Sequence, residues 1–296
     1  MSPIPDHYDW RISPEKLKKV LSFIWQHAFD LIFLAAFILL ILFQFVQAIP
    51  GVSNIQDSLD LGNALSPPSL THPMGTDNLG RDLLLRLSEV MTRTVIPLWI
   101  GVFCSLLVGI ICAFIFIHCI GHRLLGVAEK IFFFLTSFVA SIPISVICFG
   151  VAVVIERSNL FSVLLPLVVL FGMQTYHTIT NFYRRDQRLG FWVAHQTMGG
   201  SLAGRILRYG ILRSWRQDIL SLLSFQLKVA ISIEASLSYL GFGIQEPDPS
   251  FGNMLASHFD LYLKGEWSIL LFIILIFILT SAVPVSITRI FRLTHG

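Results

Sequence analysis

Residues 181–220, NFYRRDQRLGFWVAHQTMGGSLAGRILRYGILRSWRQDIL, form a strongly basic stretch between two long apolar segments. The stretch holds two acids, Asp186 and Asp218. The same stretch holds seven arginines: Arg184, Arg185, Arg188, Arg205, Arg208, Arg213 and Arg216. Charged residues make up only 13% of the whole chain, so this concentration is exceptional. Such a stretch is typical of the inner surface of a membrane, and its length indicates a surface that another protein contacts.

The composition predicts a polytopic membrane protein. The chain is 54% hydrophobic and its mean hydropathy is +0.73. Several apolar runs reach about twenty residues, the length of helix that crosses a hydrocarbon core roughly 30 Å thick. We predict an all-α fold with six transmembrane helices, at residues 29–49, 94–120, 131–155, 160–179, 219–242 and 267–290.

The chain before the first span is predicted to form a separate unit. Residues 1–27 are polar to amphipathic and carry Lys16, Lys18 and Lys19. We predict a cytoplasmic interfacial helix whose lysines face anionic lipid headgroups. A cleaved signal peptide is the alternative, but the region before the apolar run is long for one and no small-residue cleavage pattern follows. Residues 28–296 then form the transmembrane domain.

Basic residues near the span ends predict the orientation. With both termini inside, fifteen of the twenty-one lysines and arginines lie on the inner side, and Lys228 lies within a span. The five that face outward are Arg81, Arg86, Arg93, Arg157 and Lys264. This arrangement makes residues 50–93 an extracytoplasmic segment and residues 181–218 a cytoplasmic loop.

The sequence lacks the residue patterns of the common catalytic and metal sites. It contains no phosphate-binding loop of the G-x-x-x-x-G-K-[ST] kind and no H-E-x-x-H or C-x-x-C pattern. His118 and His122 are four residues apart, but no third metal ligand lies nearby. The chain is therefore predicted to be non-catalytic, with no cofactor or metal of its own.

Three polar residues of the fifth span are candidates for a substrate path: Gln226, Lys228 and Glu234. A charge inside a span costs about 2.5–3.5 kcal/mol on insertion scales, and such residues usually face a bundle interior or a water-filled path. Lys228 and Glu234 are six residues apart, about 240° around a helix, so they cannot easily pair with each other. An ion pair to another helix, or a lysine that extends toward the interface, remains the alternative.

Two polar connections are each predicted to contain a short helix: the one before the second span and the one between the fifth and sixth spans. In the first, Thr76 or Asp77 is a candidate N-cap. The apolar face of that helix would comprise Leu79, Leu83, Leu87 and Val90. In the second connection, Ser250 is predicted to cap a helix that runs through Leu255 and Phe259.

The basic stretch itself is predicted to form a pair of short helices around a Gly199-Gly200 break. Its apolar residues would need a cover: Trp192, Met198, Ile206, Leu207 and Ile211. A helix pair presented to a cytoplasmic partner explains both the charge and these apolar residues. The alternative is that the arginines merely follow the general bias of basic residues toward the inner side.

Two longer motifs carry a family resemblance. THPMGTDNLGRDLLLRL, residues 71–87, resembles the H-P-[LM]-G-T-D-x-L-G-R-D signature of permeases in the dipeptide/oligopeptide/nickel ABC importer family. EASLSYLGFGIQEPDPSFGNML, residues 234–255, resembles the E-A-S-L-S-[FY]-L-G-[LF]-G segment of the same permeases and its continuation. The wording of both motifs is similar to the C-type subunit, the second of two paired permeases.

This resemblance implies a type I ABC importer permease in a bacterial inner membrane. Its partners would be a homologous second permease, two subunits that bind ATP-Mg, and an extracytoplasmic substrate-binding protein. The motif residues carried over to this chain are Gly75, Thr76, Asp77, Gly80, Arg81, Asp82, Gln245, Pro247, Pro249 and Gly252. The substrate would be a peptide or a related small solute.

The resemblance further implies that the basic loop carries a coupling helix that docks the ATPase. The usual E-A-A-x-x-x-G pattern matches poorly here, and Arg213 follows Leu212 where a proline is expected. The candidate docking residues are His195, Gly199, Gly200, Arg205, Arg208 and Arg213. This departure favours a divergent branch, for instance one that handles antimicrobial peptides, metal chelates or haem.

Three other classes of function are weighed against this one. A stand-alone channel or secondary transporter would work without an ATPase and would often show inverted repeats, which are not evident. An integral-membrane enzyme would need a catalytic cluster, which the sequence lacks. A nucleic-acid role is not expected, because the basic loop has no recognisable binding fold.

Overall fold

A computed structural model describes residues 60–119, 123–155, 160–263 and 267–295, together with six isolated positions between 28 and 42. The predicted interfacial helix at residues 1–27 lies outside the described residues. The predicted first span, residues 29–49, lies almost entirely outside them as well.

The described residues form helices and connections, without a β-strand among them. A 3-10 turn at Leu61–Asn63 comes first, and π-helical turns occupy Met91–Val95 and Arg205–Ser214. The α-helices are α1 Leu83–Val90, α2 Ile96–Cys119, α3 Arg123–Ala140, α4 Ile144–Ile155, α5 Leu160–Asp186, α6 Gly190–Thr197, α7 Leu202–Gly204, α8 Arg216–Tyr239, α9 Phe251–Leu263 and α10 Trp267–His295. The predicted all-α class is confirmed.

Three helices in the described part of the chain are long and apolar enough to cross a membrane. They are the 36-residue run Leu83–His118, α5 and α8, which correspond to the predicted second, fourth and fifth spans. Helix α8 ends at Tyr239, three residues before the predicted end of the fifth span. Residues Lys130–Ala140 and α4 together make a fourth candidate span, bent by 88°. Helix α10 covers the predicted sixth span and extends to His295.

The third span is not the single helix that the sequence predicted over residues 131–155. Helix α3 ends at Ala140 and α4 begins at Ile144, immediately after Pro143. Proline has no N–H to donate, and its ring clashes with the carbonyl of the preceding turn. The Pro143 carbonyl accepts from Val146 N at 3.0 Å and so begins the new helix. Proline therefore separates the two halves and allows the sharp bend.

Helices α2 and α5 run side by side in the same direction and pack closely against each other. Gly101 of α2 lies against Leu164 near the start of both helices, and Gly109 lies against Gly172 and Thr175 further along. A glycine at this contact lets the two backbones approach closely, which is how helices associate in lipid.

The core has three clusters. One packs α1 against α8, α9 and α10, the second packs α2, α4, α5 and α8 together, and the third packs the basic loop against α2, α5 and the start of α8. Helix α8 has 24 residues and connects the two ends over about 36 Å. The basic loop precedes α8 and the second motif spans its end, so the loop and the motif connections lie at opposite ends of the bundle.

The α2–α5 contact leads to a first prediction. A Cβ at Gly109 would lie 2.5 Å from Thr175 Cβ and 2.6 Å from the Gly172 carbonyl oxygen. Gly109→Val should therefore destabilise the bundle by about 1–3 kcal/mol through overpacking. We expect the midpoint of thermal unfolding in detergent to fall by several degrees.

The matched control is Gly150→Val, because a Cβ at Gly150 meets no atom within 4 Å. Equal midpoints for the two variants would contradict the close α2–α5 packing.

Candidate functional site

The first motif folds into a turn around Asp77, whose side chain is fully buried. Asp77 Oδ1 accepts hydrogen bonds from the backbone N–H groups of Leu79 and Arg81, each at 2.9 Å. Gly75 and Gly80 adopt positive φ values, +79° and +76°, which glycine adopts without strain. The motif glycines and the motif aspartate therefore shape one compact turn.

The helix that follows this turn is capped by a different residue from the two predicted. Asp82 precedes α1, and its carboxylate accepts from Leu84 N at 2.8 Å and Leu85 N at 3.2 Å. The prediction that Thr76 or Asp77 caps the helix is therefore wrong, because both residues are engaged within the turn before it. The same carboxylate lies 2.9 Å from His72 Nδ1, which fixes the start of the motif.

A network of four charged side chains joins the two motifs. Arg86 is buried, and its guanidinium donates to Asp77 Oδ2 at 3.1 Å and to Glu246 Oε1 at 2.7 Å. Arg81 contacts the same two carboxylates, Asp77 at 2.8 Å and Glu246 at 3.2 Å. Two cations thus alternate with two carboxylates, and each arginine bridges both motifs. The sequence analysis named Asp77 and Arg81 as motif residues. It did not name Arg86 and Glu246, because these two residues are 160 positions apart and no sequence pattern indicates that they meet.

The second motif is closed by hydrogen bonds around Asn253, a residue that the sequence did not single out. Its side-chain amide donates to the Asp248 carbonyl at 2.7 Å, and its backbone N–H donates to Ser250 Oγ at 3.1 Å. Ser250 N donates in return to Asn253 Oδ1 at 3.0 Å. The predicted cap at Ser250 is therefore confirmed. Gly252 packs against the backbone of Ala235, where a Cβ would collide with the carbonyl oxygen.

The remaining motif residues serve the same junction in smaller ways. The Pro249 carbonyl accepts from Thr94 Oγ1 at 3.1 Å, which ties the second motif to the start of α2. Pro247 follows a cis peptide bond. Thr76 donates through its hydroxyl to the Asn63 carbonyl. Gln245 contacts only the neighbouring carbonyl in the hydrogen bonds that the described residues show.

The three polar candidates of the fifth span face different directions. Gln226 is buried, and its amide donates to Thr175 Oγ1 at 3.2 Å and to the Phe171 carbonyl at 3.3 Å. Glu234 is fully buried, and Ser238 Oγ donates to its carboxylate at 2.6 Å. Lys228 is exposed. Gln226 and Glu234 thus face the helix packing, and Lys228 lies on the opposite face of α8.

A polar stripe follows that outward face of α8. It contains Ser221, Lys228, Ser232 and Ser236, with the exposed ring of Phe225 between the first two. Successive residues of the stripe are three or four positions apart and half-buried to exposed. Lys228 lies twelve residues after Arg216, or about 18 Å along the helix, and so near its middle. The sequence analysis found the lysine but not the stripe, whose serines carry a weaker signal than charges.

A second buried carboxylate organises the basic loop. Asp186 ends α5 and accepts from Trp215 Nε1 at 2.7 Å, Arg185 Nε at 2.7 Å and Ser214 Oγ at 3.2 Å. Because Trp215 immediately precedes α8, this contact ties the end of α5 to the start of α8. Trp192 of α6 stacks on Trp215 with ring centroids 5.8 Å apart, which holds the loop against the bundle.

The loop contains a pair of helical segments on either side of a glycine break. Helix α6 precedes the break, and α7 with the π-helical turn follows it. Gly199 has φ +74°, and Gly200 packs so closely on the His195 ring that a Cβ would collide with it. The predicted helix pair is therefore present.

The outward surface of the loop combines apolar and basic side chains. The exposed fractions of Met198, Leu207 and Leu212 are 77%, 61% and 63%. Arg208 and Arg213 are exposed beside them. We call these five residues the loop surface. Of the apolar residues that the sequence pointed to, Trp192 and Ile206 are instead buried inside the loop, and Arg205 is half-buried.

Comparison with known proteins gives a consistent family of relatives. The dipeptide transport system permease DppC of Bacillus subtilis is 29% identical over 240 residues, which cover 77% of this chain and 70% of the relative. A Brucella suis protein provisionally named a peptide transport system permease is 30% identical over 211 residues, 70% of this chain and 67% of the relative. The oligopeptide transport system permease OppC of Bacillus subtilis is 28% identical over 211 residues, 70% and 66% respectively. No protein-family model matches the chain.

The charged network that joins the motifs leads to a second prediction. Arg86→Met leaves Asp77 buried with one cation fewer, and loss of one member of a buried ion pair costs about 3–5 kcal/mol. We expect a clear loss of thermal stability in detergent and partial release of the second motif, measured as faster amide hydrogen exchange in residues 244–253.

The matched control is Arg93→Met. Arg93 pairs with Asp248 at 2.9 Å, but the two side chains are 58% and 59% exposed. Such surface pairs contribute only about 0–1 kcal/mol. If Arg86→Met were as mild as Arg93→Met, the network would not hold the motifs together.

Proposed function

This chain belongs to the permease family of dipeptide and oligopeptide ABC transport systems, and we propose that it forms half of the translocation path of a binding-protein-dependent importer. The substrate would be a peptide or a related small solute. The observation that carries the proposal is the polar stripe on the outward face of α8, with Lys228 near its middle.

The energetics of the membrane explain why this stripe supports a path. A charged side chain in the middle of a span is costly in contact with lipid tails and is accommodated next to water or a polar partner. In the described part of the chain, no carboxylate forms an ion pair with Lys228. The stripe would therefore line an aqueous route that a second, homologous permease completes.

We propose six spans with both termini in the cytoplasm of a bacterial cell, in its plasma membrane. The distribution of lysine and arginine supports this orientation. It places the loop surface in the cytoplasm and the joined motifs outside, consistent with their positions at opposite ends of α8. The motifs would then meet the extracytoplasmic binding protein that delivers the substrate.

The loop surface is proposed to dock one of two ATP-binding subunits. ATP-Mg would be bound and hydrolysed in those partners, and this chain would contribute no catalytic group. Exposed apolar side chains among arginines are typical of a protein interface, because they leave apolar area uncovered in the isolated chain. His195, Gly199 and Gly200 would shape the docking segment from behind.

The mechanism we propose is alternating access by rigid-body movement. When the ATP-binding subunits close, they would move the docked loops of the two permeases. In this chain the contact of Asp186 with Trp215 connects the loop to the ends of both α5 and α8. A displacement of the loop would therefore reach α8, and with it the stripe, without bending either helix. A stand-alone channel or secondary transporter would leave the loop surface without a role.

The docking proposal leads to a third prediction. Arg208→Glu reverses an exposed charge at the loop surface and should repel a partner that is complementary to arginine. We expect roughly tenfold less ATP-binding subunit to co-purify with the tagged permease, since a loss of about 1.4 kcal/mol corresponds to a factor of ten.

Arg93→Glu is the matched control, because it makes the same change at an exposed arginine at the opposite end of the bundle. Both variants should reach the membrane in normal amounts. Unchanged co-purification for Arg208→Glu would argue against docking at this surface.

The path proposal leads to a fourth prediction. In a background without the four native cysteines, a cysteine at Ser232 should react with a membrane-impermeant thiol reagent in the assembled complex. Leu107→Cys is the control, because Leu107 is exposed near the middle of α2 but has apolar neighbours. We expect Ser232→Cys to react roughly tenfold faster, because charged reagents reach water-filled paths and not lipid. Equal rates at the two positions would rule out a wet stripe.

A further inference from the structure

The π-helical segment Arg205–Ser214 is built from a sequence repeat of period five. Its 10 residues read RILRYGILRS, in which the tripeptide Ile-Leu-Arg occurs at residues 206–208 and again at residues 211–213. A π-helix bonds each residue to the one five positions away, so residues five apart lie above one another. The repeat in the sequence therefore has the same period as the helix that it forms.

Each member of the repeat has a similar environment in both copies. Ile206 is 2% exposed, and Ile211 is half-buried against the same hydrophobic cluster. Leu207 and Leu212 are 61% and 63% exposed. The two arginines of the repeat are exposed as well. The segment thus presents isoleucines to the bundle and two Leu-Arg pairs, one turn apart, to the outside.

An α-helix with the same sequence would not form this surface. Successive residues of an α-helix are about 100° apart around its axis, so residues five apart point about 140° away from each other. Leu207 and Leu212 would then lie on different sides of the helix, and so would the two arginines. Because π-helices are rare and mostly limited to a single turn, 10 residues in this register are unusual.

The contact between Gly210 and Trp215 fixes this register. Trp215 N donates to the Gly210 carbonyl at 2.8 Å, a hydrogen bond across five residues. The indole lies over the preceding turn, where a Cβ at Gly210 would be 2.8–2.9 Å from three of its ring carbons. The indole is itself held, because it donates to Asp186 at 2.7 Å. A side chain at position 210 would therefore displace the segment from the π register.

We propose that the π register creates the surface that recognises the ATP-binding subunit, and that this subunit has two apolar pockets one helical turn apart, each beside a carboxylate. The inference rests on the proposed function and adds the register and the chemistry of the partner. The two leucines would fill the pockets, since exposed apolar side chains are typical of interaction sites.

The arginines specify the charge of the partner. A guanidinium has hydrogen-bond donors and no acceptor, and it binds a carboxylate through two parallel hydrogen bonds. Because Arg208 and Arg213 lie one π-turn apart, the carboxylates that they fit are separated by the same step. Gly210 is buried behind this surface and is a positioning residue, because it acts through the register rather than by touching the partner.

The register is tested by disulfide formation in membrane vesicles from cells that express the whole transporter, in a background without the four native cysteines. Leu207→Cys combined with Leu212→Cys should form an intramolecular disulfide on mild oxidation, because residues five apart are adjacent in a π-helix. In an α-helix their Cα atoms would be about 8–9 Å apart, beyond the limit of roughly 7 Å for a disulfide.

The matched control is Gln217→Cys combined with Leu222→Cys, because these residues are also five apart but lie in helix α8. We expect roughly tenfold more intramolecular disulfide from the pair in the π-helical segment. Equal yields from the two pairs would overturn the register.

The role of the register is tested with Gly210→Ala, which changes no residue of the loop surface. We expect several-fold less ATP-binding subunit to co-purify with the tagged permease, together with a lower disulfide yield from the pair at positions 207 and 212. Gly190→Ala is the control, because Gly190 begins α6 in the same loop and a Cβ there meets no atom within 4 Å. Both variants should reach the membrane in normal amounts.

The two pockets are tested separately, with variants that leave Gly210 in place. Leu207→Ala and Leu212→Ala should each reduce co-purification several-fold and by similar factors, because each removes one of two equivalent contacts. A loss with only one of the two variants would contradict a surface made of two repeated steps.

The outcomes separate this inference from the proposed function. If Arg208→Glu leaves co-purification unchanged, docking at the loop surface is itself wrong. If Arg208→Glu reduces co-purification but Gly210→Ala does not, docking stands and the dependence on the π register is wrong.

Discussion

A buried carboxylate must be surrounded by donors, and each end of this bundle is built around one such carboxylate. At the motif end, Asp77 is fully buried and receives two arginines and two backbone N–H groups. At the loop end, Asp186 receives an indole, a guanidinium and a hydroxyl. Removing one partner from such a buried carboxylate lowers the free energy of unfolding far more than breaking a surface ion pair does. Both ends of the bundle are therefore fixed, although the helices between them are held mainly by packing.

Helix α8 connects these two fixed ends and divides its polar residues between two faces. Gln226 and Glu234 point into the bundle, where the Gln226 amide nitrogen donates to α5 and Ser238 Oγ donates to one oxygen of Glu234. Among the described residues, Gln226 Oε1 and the second Glu234 oxygen have no hydrogen-bond partner. Lys228 and the serines around it point outward. The loop and the second motif are attached to opposite ends of this one helix, so under the proposed mechanism a displacement of the loop would carry the helix with it. This arrangement suits a subunit that couples events on the two sides of a membrane.

The polar residues in and around the helices were predictable only in part. A lysine or glutamate in an apolar run is visible in the sequence, but the exposed face of α8 is not, because it depends on how the helix is rotated against its neighbours. The N-cap of α1 shows the same limit: Thr76, Asp77 and Asp82 are all chemically suitable, and the turn around Asp77 leaves Asp82 at the helix start. Pro143 was visible in the sequence too, but the angle of the bend beside it, 88°, was not.

The sequence by itself determined the helical class, most of the spans, the glycine break in the basic loop and the family. Those features are local, because hydrocarbon imposes a length and a composition on each helix separately, and because motifs are read directly from residue order. Only the tertiary structure decided which charges meet. Arg86 and Glu246 are 160 residues apart, and Asp186 and Trp215 are 29 apart. Such pairs form when packing removes water from side chains that distant helices bring together, and no local spacing in the sequence specifies them.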